Sequence, residues 1–304
     1  MSASRSAGFR SLLDSDLSFI RMAGVYDALG ARIAEQAGFE GLWVSGFAMS
    51  ATMLCRPDIG FTTLSEMTER VRQISGAVEI PVIADGEAGF GNALNTMRAV
   101  EEFIRDGAAG IQIGDESSET CPYLGMPTKV LPLDDAVNRY RAAAEARGDS
   151  GLAIVAAPQM GIDRCIAYAE AGCDAIFFPW RKMVAGDAID EHRRAMDALK
   201  ATGCTPIAVT ASFLPPISDA ELQALGYRVV VRAVESVYAV ARVQTELWAE
   251  YMRSGTTGGF YDRMFTRQSD FLPLVQEPRY RALAEKYLES GYAVNDEARR
   301  SAQD

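Results

Sequence analysis

Four carboxylates follow two consecutive apolar runs of the kind that form buried strands. Asp85 and Glu87 come directly after the run IPVIA, and Asp115 and Glu116 come directly after the run GIQIG. If the two runs are neighbouring parallel strands, their carboxyl ends meet at one edge, and the four side chains converge there. Carboxylates that lie close together repel one another unless a cation is placed between them. Mg²⁺ suits such a group, because one or two carboxylates and several retained waters hold it.

A second interpretation of these carboxylates stays open. Acidic residues are common at strand-to-helix turns because they cap helix N-termini and complement the helix dipole. The glycine-rich turn DGEAGFGN (85–92) favours the metal interpretation, because glycine lets backbone amides approach a ligand closely. Ser45, Gly46 and Phe47 follow a third apolar run, LWV, and they add a hydroxyl group and backbone amides to the same edge.

Eight short apolar runs alternate with amphipathic helical segments and would position these residues. Several helical segments end at a glycine, which supplies the left-handed position after a helix, as at Gly38, Gly107, Gly172 and Gly226. The predicted strands are 22–26, 41–45, 80–85, 109–113, 152–157, 174–178, 205–210 and 228–232. This alternation predicts an α/β fold, a (β/α)8 TIM barrel, with a doubly wound open sheet as the alternative. The sequence has no GxGxxG fingerprint, which favours the barrel.

The chain continues beyond the eighth strand. We predict a (β/α)8 barrel catalytic domain over residues 1–250 and a C-terminal helical extension over 251–304. Within this part, 236–255 reads as a long helix and 278–292 as a second one. Apolar helices beyond a closed barrel pack either on the barrel itself or on a neighbouring subunit.

The overall composition restricts the classes of partner. The chain has 304 residues and a formal net charge of −11, from 41 acidic and 30 basic residues. This charge disfavours nucleic acid and anionic membrane surfaces. The five cysteines show no CxxC pair, and no apolar stretch approaches the length of a membrane span. We therefore expect a soluble, cytoplasmic protein whose partner is a small molecule.

The turn DGEAGFGN after an apolar strand resembles the DAD-x-G-[FY]-G-N signature of the isocitrate lyase/phosphoenolpyruvate mutase superfamily. Four surrounding segments agree with the resemblance, which covers roughly residues 20–250. They are GVYDALGARIAEQAGFEGLWVSG (24–46), PDIGFTTLSEMTERVRQI (57–74), VIADGEAGFGNALNTMRAV (82–100) and LGYRVVV (225–231). The chain is most similar to the oxaloacetate decarboxylase and methylisocitrate lyase-like branches.

The resemblance implies a Mg²⁺-dependent enzyme, with Mn²⁺ as the alternative ion. It would cleave a carbon–carbon bond of a 2-oxo or 2-hydroxy carboxylate, or form that bond in reverse, through a pyruvate-like enolate. On the family pattern Asp85 binds the metal directly, and Glu87 and Asp58 hold metal-bound waters. Asp115 is a further candidate metal ligand, and Glu116 is a candidate catalytic residue.

The resemblance also assigns residues to the substrate. Ser45, Gly46 and Phe47 would offer backbone amides and a hydroxyl group to the oxyacid. Tyr26, a candidate catalytic residue, and Asp27 would lie beneath the site. Family members are usually tetramers that exchange a C-terminal helix, so the resemblance implies a homo-oligomer, either a tetramer or a dimer.

The loop after strand four departs from the family pattern. The lyase branches carry a K-[KR]-C-G-H signature there, and its cysteine serves as general acid. In this chain ETCPYLG (119–125) keeps only Cys121. A thiol in such a loop can protonate an enolate if its pKa suits the task. Cys121 is therefore either a general acid or a surface cysteine without a role.

Three strand ends also depart from the family. Gly114 replaces the usual Glu, Ala157 replaces an Arg that clamps a carboxylate, and Pro179-Trp180 follows strand six where lyases often place Glu. The single histidine, His192, lies in a polar helical segment and reads as a solvated surface residue, which excludes histidine-based mechanisms.

Two arginines could replace the missing clamp. Arg181 follows strand six and Arg232 ends strand eight, so either could hold a substrate carboxylate from a new direction. The alternative is a structural ion pair with Asp187 or Glu235. With the clamp lost, the substrate should differ from isocitrate, methylisocitrate and oxaloacetate.

Aromatic residues at the strand ends suggest a bulky substrate, although each of them could equally be part of the core. They are Phe47, Phe90, Tyr123, Phe178 and Trp180. Two other functions stay open. One is phosphorus–carbon chemistry of the mutase or phosphonopyruvate hydrolase type. The other is a barrel that binds a metabolite without turning it over, which Gly114 and Ala157 support.

Overall fold

The computed structural model describes residues 8–117, 129–159, 161–178, 188–210 and 216–288 of the chain. Eight parallel strands form a closed barrel in sequence order, so the predicted TIM barrel is confirmed. Each strand lies within two residues of its predicted bounds. The strands are β1 Ile20–Val25, β2 Gly41–Val44, β3 Val82–Asp85, β4 Gly110–Gly114, β5 Ala153–Ala157, β6 Ala175–Phe177, β7 Thr205–Thr210 and β8 Val229–Arg232.

Helices connect the strands and continue after them. The α-helices are α1 Gly8–Leu13, α2 Ala28–Gln36, α3 Gly46–Met49, α4 Leu64–Ala77, α5 Ala93–Arg105, α6 Leu133–Arg147, α7 Ile162–Glu170, α8 Ala188–Ala201, α9 Asp219–Ala224, α10 Glu235–Ser254, α11 Gln268–Phe271 and α12 Glu277–Tyr287. A π-helical turn, Ser50–Leu54, extends α3, and 3₁₀ turns lie at Gly258–Arg263 and Leu272–Val275. The glycines predicted at the left-handed position after a helix have positive φ, from 87° at Gly107 to 104° at Gly172.

Alternation along the strands separates an inner from an outer layer of side chains. Inward-facing residues such as Met22, Trp43 and Val155 form one buried cluster inside the barrel. The rings of Trp43 and Phe177 meet there, with centroids 4.8 Å apart. Outward-facing residues such as Ile111 and Ile154 pack against the helices in a second, larger cluster.

Helix α1 covers the barrel end at which the strands begin. Phe9 and Leu13 are buried in the cluster that fills the barrel. Arg10 forms an ion pair with Asp174, which directly precedes β6, at 3.0 Å. The opposite end, where the carboxyl ends of the strands meet, is called the mouth below.

The chain divides into two compact units, Met1–Tyr238 and Ala239–Asp304. The boundary lies within α10, the long helix that the sequence predicted at 236–255. In the second unit, Arg263 of the 3₁₀ turn binds Glu246 of α10 at 2.7 Å. Within the described ranges no helix is both long and apolar enough to cross a membrane.

Candidate active site

The carboxylate of Asp85 connects the ends of two neighbouring strands. Asp85 is the last residue of β3, and its Oδ2 accepts a hydrogen bond of 3.2 Å from the amide of Gly46, the first residue of α3 after β2. Its Oδ1 accepts a second one, of 2.9 Å, from the amide of Glu87. The structure therefore brings Asp85, Glu87 and Gly46 together at the mouth.

The turn after β3 holds Glu87 in an uncommon backbone conformation. Its φ is 50°, in the left-handed region that few residues with a long side chain adopt. The turn stays paired with β4, because the Glu87 carbonyl accepts a hydrogen bond of 2.8 Å from the amide of Gly114. At its far end, Asn92 and Asn95 form a capping box at the start of α5. The local sequence thus fixes this turn from both ends.

Gly46 leaves room for two carboxylates. A methyl group on its Cα would lie 2.6 Å from Oε1 of Glu87 and 2.7 Å from Oδ2 of Asp85. Real side-chain carbons do not approach oxygen atoms this closely, so any larger residue would displace one of the acidic side chains. Both carboxylates are therefore directed at the same small space above Gly46.

Four acidic residues influence one another electrostatically and are called the acidic cluster, namely Asp58, Asp85, Glu87 and Glu116. Burial, followed by the charge of Asp58, raises the pKa of Asp85 to about 7. Burial raises the pKa of Asp58 to about 6, and burial and the charge of Asp85 raise the pKa of Glu87 well above its usual range. Without a cation, the folded protein therefore disfavours full ionisation of this cluster.

The acidic cluster fits a hard divalent cation. Oε1 of Glu87 is inaccessible to solvent and has no hydrogen-bond partner, so a buried acceptor points into the space above Gly46. Among the described residues, no three Asp, Glu, His or Cys side chains are arranged to hold a metal ion by themselves.

Asp115, predicted as a metal ligand, is engaged elsewhere. Its Oδ2 accepts hydrogen bonds from the hydroxyl of Tyr168 at 2.7 Å and from Arg164 at 3.2 Å, and its Oδ1 accepts one from the Gln159 amide at 2.9 Å. The physical reason is alternation along β4, which turns Ile113 and Asp115 to the outer layer and Gly114 to the interior. Asp115 thus ties the ends of β4 and β5 to α7 in this structure.

Arg232, predicted to clamp a substrate carboxylate, belongs to the outer layer as well. Like Val230 two residues earlier, it faces the helices. Its guanidinium donates to Oδ1 of Asp219 at 2.7 Å and to the carbonyl of Ile217 at 3.4 Å. Arg232 is thus held in an ion pair in this structure, and its partner is Asp219 rather than Glu235.

The groups expected to bind the oxyacid have partners within the protein. The Ser45 amide donates to the carbonyl of Val25 at 3.2 Å, and its hydroxyl accepts from the Ala48 amide at 3.3 Å. The ring of Phe47 packs edge-on against Tyr238, at 5.8 Å between centroids. The Ser45 amide is thus part of the barrel ladder, and the Phe47 ring is part of the core.

Tyr26 and Asp27, the two residues expected beneath the site, both contact other parts of the protein. Tyr26 packs against the apolar cluster of Ala48, Val234 and Val237, and burial raises its pKa. The Asp27 carboxylate accepts a hydrogen bond of 2.6 Å from the Gly30 amide and caps α2.

Several predictions fall outside the described residues. Cys121 and Arg181 lie there, as do Tyr123, Pro179 and Trp180. Ala157, the position of the missing clamp, ends β5 on the inward-facing side together with Ala153 and Val155. A clamp at position 157 would therefore have reached the mouth, and only a methyl group is present.

Sequence reasoning missed three polar residues that support the site. Gln112 is buried inside the barrel, and the amide orientation that satisfies both its ends donates to Oδ1 of Asp85 and accepts from the Gly114 amide, each at 3.3 Å. Arg139 and Gln159 reach the loop after β4 from α6 and from the residues after β5. The signal available for Gln112 was a polar residue inside the apolar run GIQIG. Arg139 lies in an ordinary amphipathic helix and gave no signal.

Known proteins resemble this chain over most of its length. The model of the phosphoenolpyruvate phosphomutase family matches residues 9–251. The chain is 31% identical to a 2,3-dimethylmalate lyase from Eubacterium barkeri, over 92% of this chain and 97% of that protein. It is 34% identical to an oxaloacetate decarboxylase from Chromohalobacter salexigens, over 84% of this chain and 91% of that protein.

A solved structure shares the fold at similar coverage. A phosphonopyruvate hydrolase in complex with oxalate and Mg²⁺ superposes with a TM-score of 0.80 and 27% identity, over 95% of this chain and 100% of that one. Its bound oxalate is an oxyacid of the general kind expected for this mouth.

Proposed function

The chain belongs to the phosphoenolpyruvate phosphomutase family, and we propose that it is a Mg²⁺-dependent carbon–carbon lyase or decarboxylase. Its substrate would be a 2-oxo or 2-hydroxy carboxylate that reacts through a pyruvate-like enolate. The reverse condensation uses the same groups. Both relatives named above catalyse reactions that break bonds of such acids, as their names state.

One observation supports this function most strongly. The carboxylates of Asp85 and Glu87 converge on the space above Gly46, and one buried oxygen of Glu87 has no partner there. Buried polar atoms in proteins are almost always satisfied, so this carboxylate oxygen is available to a ligand at that place. A cation at this place would also remove the repulsion that raises the pKa of Asp85.

The proposed roles follow from these positions. Mg²⁺, held by Asp85 with the help of Glu87 and Asp58, would stabilise the negative charge that develops on the enolate oxygen. The Gly46 amide donates to Asp85, whereas the Ser45 hydroxyl accepts from the Ala48 amide and keeps its own proton to donate, so we assign this hydroxyl to the carboxylate end of the substrate. The Trp43–Phe177 ring pair inside the barrel is apolar and excludes water from below.

Among the described residues, neither position 157 nor Arg232 offers a clamp for a distal carboxylate of the substrate, and Arg181 lies outside them. Ala157 offers a methyl group at the inward-facing end of β5, and Arg232 is bound to Asp219. We propose that the distal part of the substrate is bulkier or less polar than that of oxaloacetate. 2,3-Dimethylmalate and oxaloacetate, which two relatives have in their names, are the first substrates to compare.

Proton exchange tests this proposal directly. The wild-type protein should catalyse Mg²⁺-dependent exchange of the C3 protons of pyruvate in D₂O, followed by proton NMR, and EDTA should stop it. Asp85→Asn should abolish the exchange, while the surface variant Glu79→Gln serves as the matched control. If Mg²⁺ binds but neither exchange nor turnover of the two acids occurs, the lyase proposal is wrong.

The quaternary structure and location remain predictions from the sequence. We propose a homo-oligomer, either a tetramer or a dimer, in the cytoplasm. Light scattering coupled to size-exclusion chromatography would test the first point, and a monomer at micromolar concentration would contradict it.

A further inference from the structure

Gly114 has no side chain at a position that faces the mouth. It ends β4 on the inward-facing side, because Gln112 two residues earlier lies inside the barrel while Ile113 packs outward. A side chain at position 114 would therefore project into the mouth. A Cβ atom there would lie 2.4 Å from both carboxylate oxygens of Glu116 and 2.5 Å from its Cδ. The Glu116 carboxylate thus fills the space that the glycine leaves.

Several contacts fix Glu116 in this place. Its backbone forms an antiparallel bridge with Val130, and its carbonyl accepts a hydrogen bond of 3.3 Å from Arg139. The same guanidinium nitrogen donates to the Gly114 carbonyl at 2.9 Å. Nε2 of Gln159 donates a hydrogen bond of 3.3 Å to Oε2 of Glu116. These contacts come from three different parts of the chain and hold both the backbone and the side chain.

Glu116 also lies next to the other members of the acidic cluster. The Gly114 amide donates a hydrogen bond of 2.8 Å to the Glu87 carbonyl, and the Gln112 side chain, two residues before Gly114 on the same face of β4, donates to Oδ1 of Asp85 at 3.3 Å. Asp85 and Glu87 already direct their oxygens at the space above Gly46, where Oε1 of Glu87 is buried without a partner. The space that a side chain at position 114 would fill is therefore occupied by the acidic side chain of Glu116, on the same side of the mouth.

We propose that Gly114 and Glu116 act as one pair, in which the missing side chain at 114 admits the Glu116 carboxylate to the cation-binding group of Asp58, Asp85 and Glu87. This inference rests on the proposed function, because it assigns a residue to the same cation. On this proposal Gly114 is required for cation binding, although it lacks the carboxylate that the family usually has at this position. Glu116 becomes a residue that positions the cation.

A packing role for Glu116 would look different. In that case its carboxylate would only bind Gln159 and cover the end of β4, and its charge would not affect a cation. An amide of the same shape would then serve equally well. Removing the charge and blocking the space should therefore be tested separately.

The experiment measures Mg²⁺ and Mn²⁺ affinity by isothermal titration calorimetry, without substrate, so that the result does not depend on turnover. Glu116→Gln removes the charge and keeps the shape, whereas Gly114→Ala keeps the charge and blocks the space. Each should weaken binding roughly tenfold, as is usual for residues that support a metal site. The double variant should be no weaker than either single variant, because all three lose the same carboxylate. Gly76→Ala, whose added methyl meets nothing within 4 Å, is the control for a glycine replacement.

Each outcome decides the inference. If Glu116→Gln binds the metal as tightly as the wild type does, or if the two losses add in the double variant, the pair is wrong. Asp85→Asn separates this failure from that of the proposed function. Loss of binding in Asp85→Asn with normal binding in Glu116→Gln overturns only the pair, and a wild type that binds neither metal overturns both. If Gly114→Ala does not fold, Glu116→Gln alone decides.

Discussion

The carboxylate of Asp85 accepts a hydrogen bond from the backbone amide of Glu87, whose own carboxylate is directed at the same space above Gly46. The bond holds Asp85 in place while the left-handed conformation of Glu87, with φ at 50°, directs the second acid toward the first. Two like charges are thus held together by the backbone itself. The behaviour of this turn without a cation can therefore be predicted.

Replacing the Glu87 carboxylate by an amide should stabilise the metal-free protein and should weaken the stabilisation that Mg²⁺ gives. For Glu87→Gln we expect relief of repulsion worth about 1 kcal/mol, which raises Tm by roughly 2–4 °C in EDTA. We also expect metal affinity to fall by on the order of 100-fold. Differential scanning fluorimetry with and without Mg²⁺ measures both effects. A lower Tm in EDTA would show that Glu87 stabilises the fold by other means.

The stability of the metal-free protein should depend on pH in a defined direction. Burial and the charge of Asp58 raise the pKa of Asp85 to about 7, above its value in the unfolded chain. A raised acid pKa gives stability that is fully present below about pH 4 and is lost as pH rises through about 7. Between pH 5 and pH 8, Tm in EDTA should therefore fall because of this group, and added Mg²⁺ should stabilise more at pH 8. In Asp85→Asn, the dependence of Tm on pH in EDTA and the pH dependence of the stabilisation by Mg²⁺ should both become weaker. If neither changes in this variant, the pH dependence does not come from Asp85.

Adding a methyl group at Gly46 should damage the site more than the fold. The methyl carbon would meet oxygens of Glu87 and Asp85 at 2.6 and 2.7 Å, so at least one carboxylate must move away. We expect Gly46→Ala to lose metal binding by roughly 10–100-fold in calorimetry. Gly76→Ala in α4 is the matched control and should gain up to about 1 kcal/mol of stability with normal metal binding. Normal binding in both variants would place the cation elsewhere.

The sequence predicted strand ends well and side-chain direction less well. Gly-terminated helices and apolar runs located all eight strands, and the turn after IPVIA identified Asp85 and Glu87. Asp115 and Arg232 were assigned to the mouth because they stand at strand ends, yet both face the outer layer. A one-residue step along a strand turns a side chain to the other face, and the strand end itself does not specify which face that is.

Asp115 should matter for stability and not for metal binding. It is fully buried and accepts hydrogen bonds from Tyr168, Arg164 and the Gln159 amide. Asp115→Asn removes the charge that pairs with Arg164 and puts an amide group opposite a donor, which should cost about 3 kcal/mol in urea unfolding. Mg²⁺ affinity should stay within roughly twofold of the wild type at temperatures where the variant is folded. A tenfold loss of affinity would return Asp115 to the metal site.

Arg232 should be dispensable for substrate binding. Its guanidinium binds Asp219 and the Ile217 carbonyl in a half-exposed setting, where an ion pair contributes little. Arg232→Met should cost about 1 kcal/mol of stability and leave KM and kcat unchanged for every accepted oxyacid. A raised KM with an unchanged kcat would show that Arg232 does hold a substrate carboxylate.

The first and last strands close the barrel through a very tight contact. Ile20 to Ala23 of β1 pair with Val229 to Arg232 of β8, and a Cβ atom on Gly24 would lie 2.1 Å from the Ala233 carbonyl oxygen. During synthesis β1 therefore has no partner on this side until β8 has left the ribosome. Over that time the nascent chain exposes a parallel strand edge, which can pair with other chains. The time for which this edge of β1 stays unpaired is accordingly set by when β8 emerges from the ribosome.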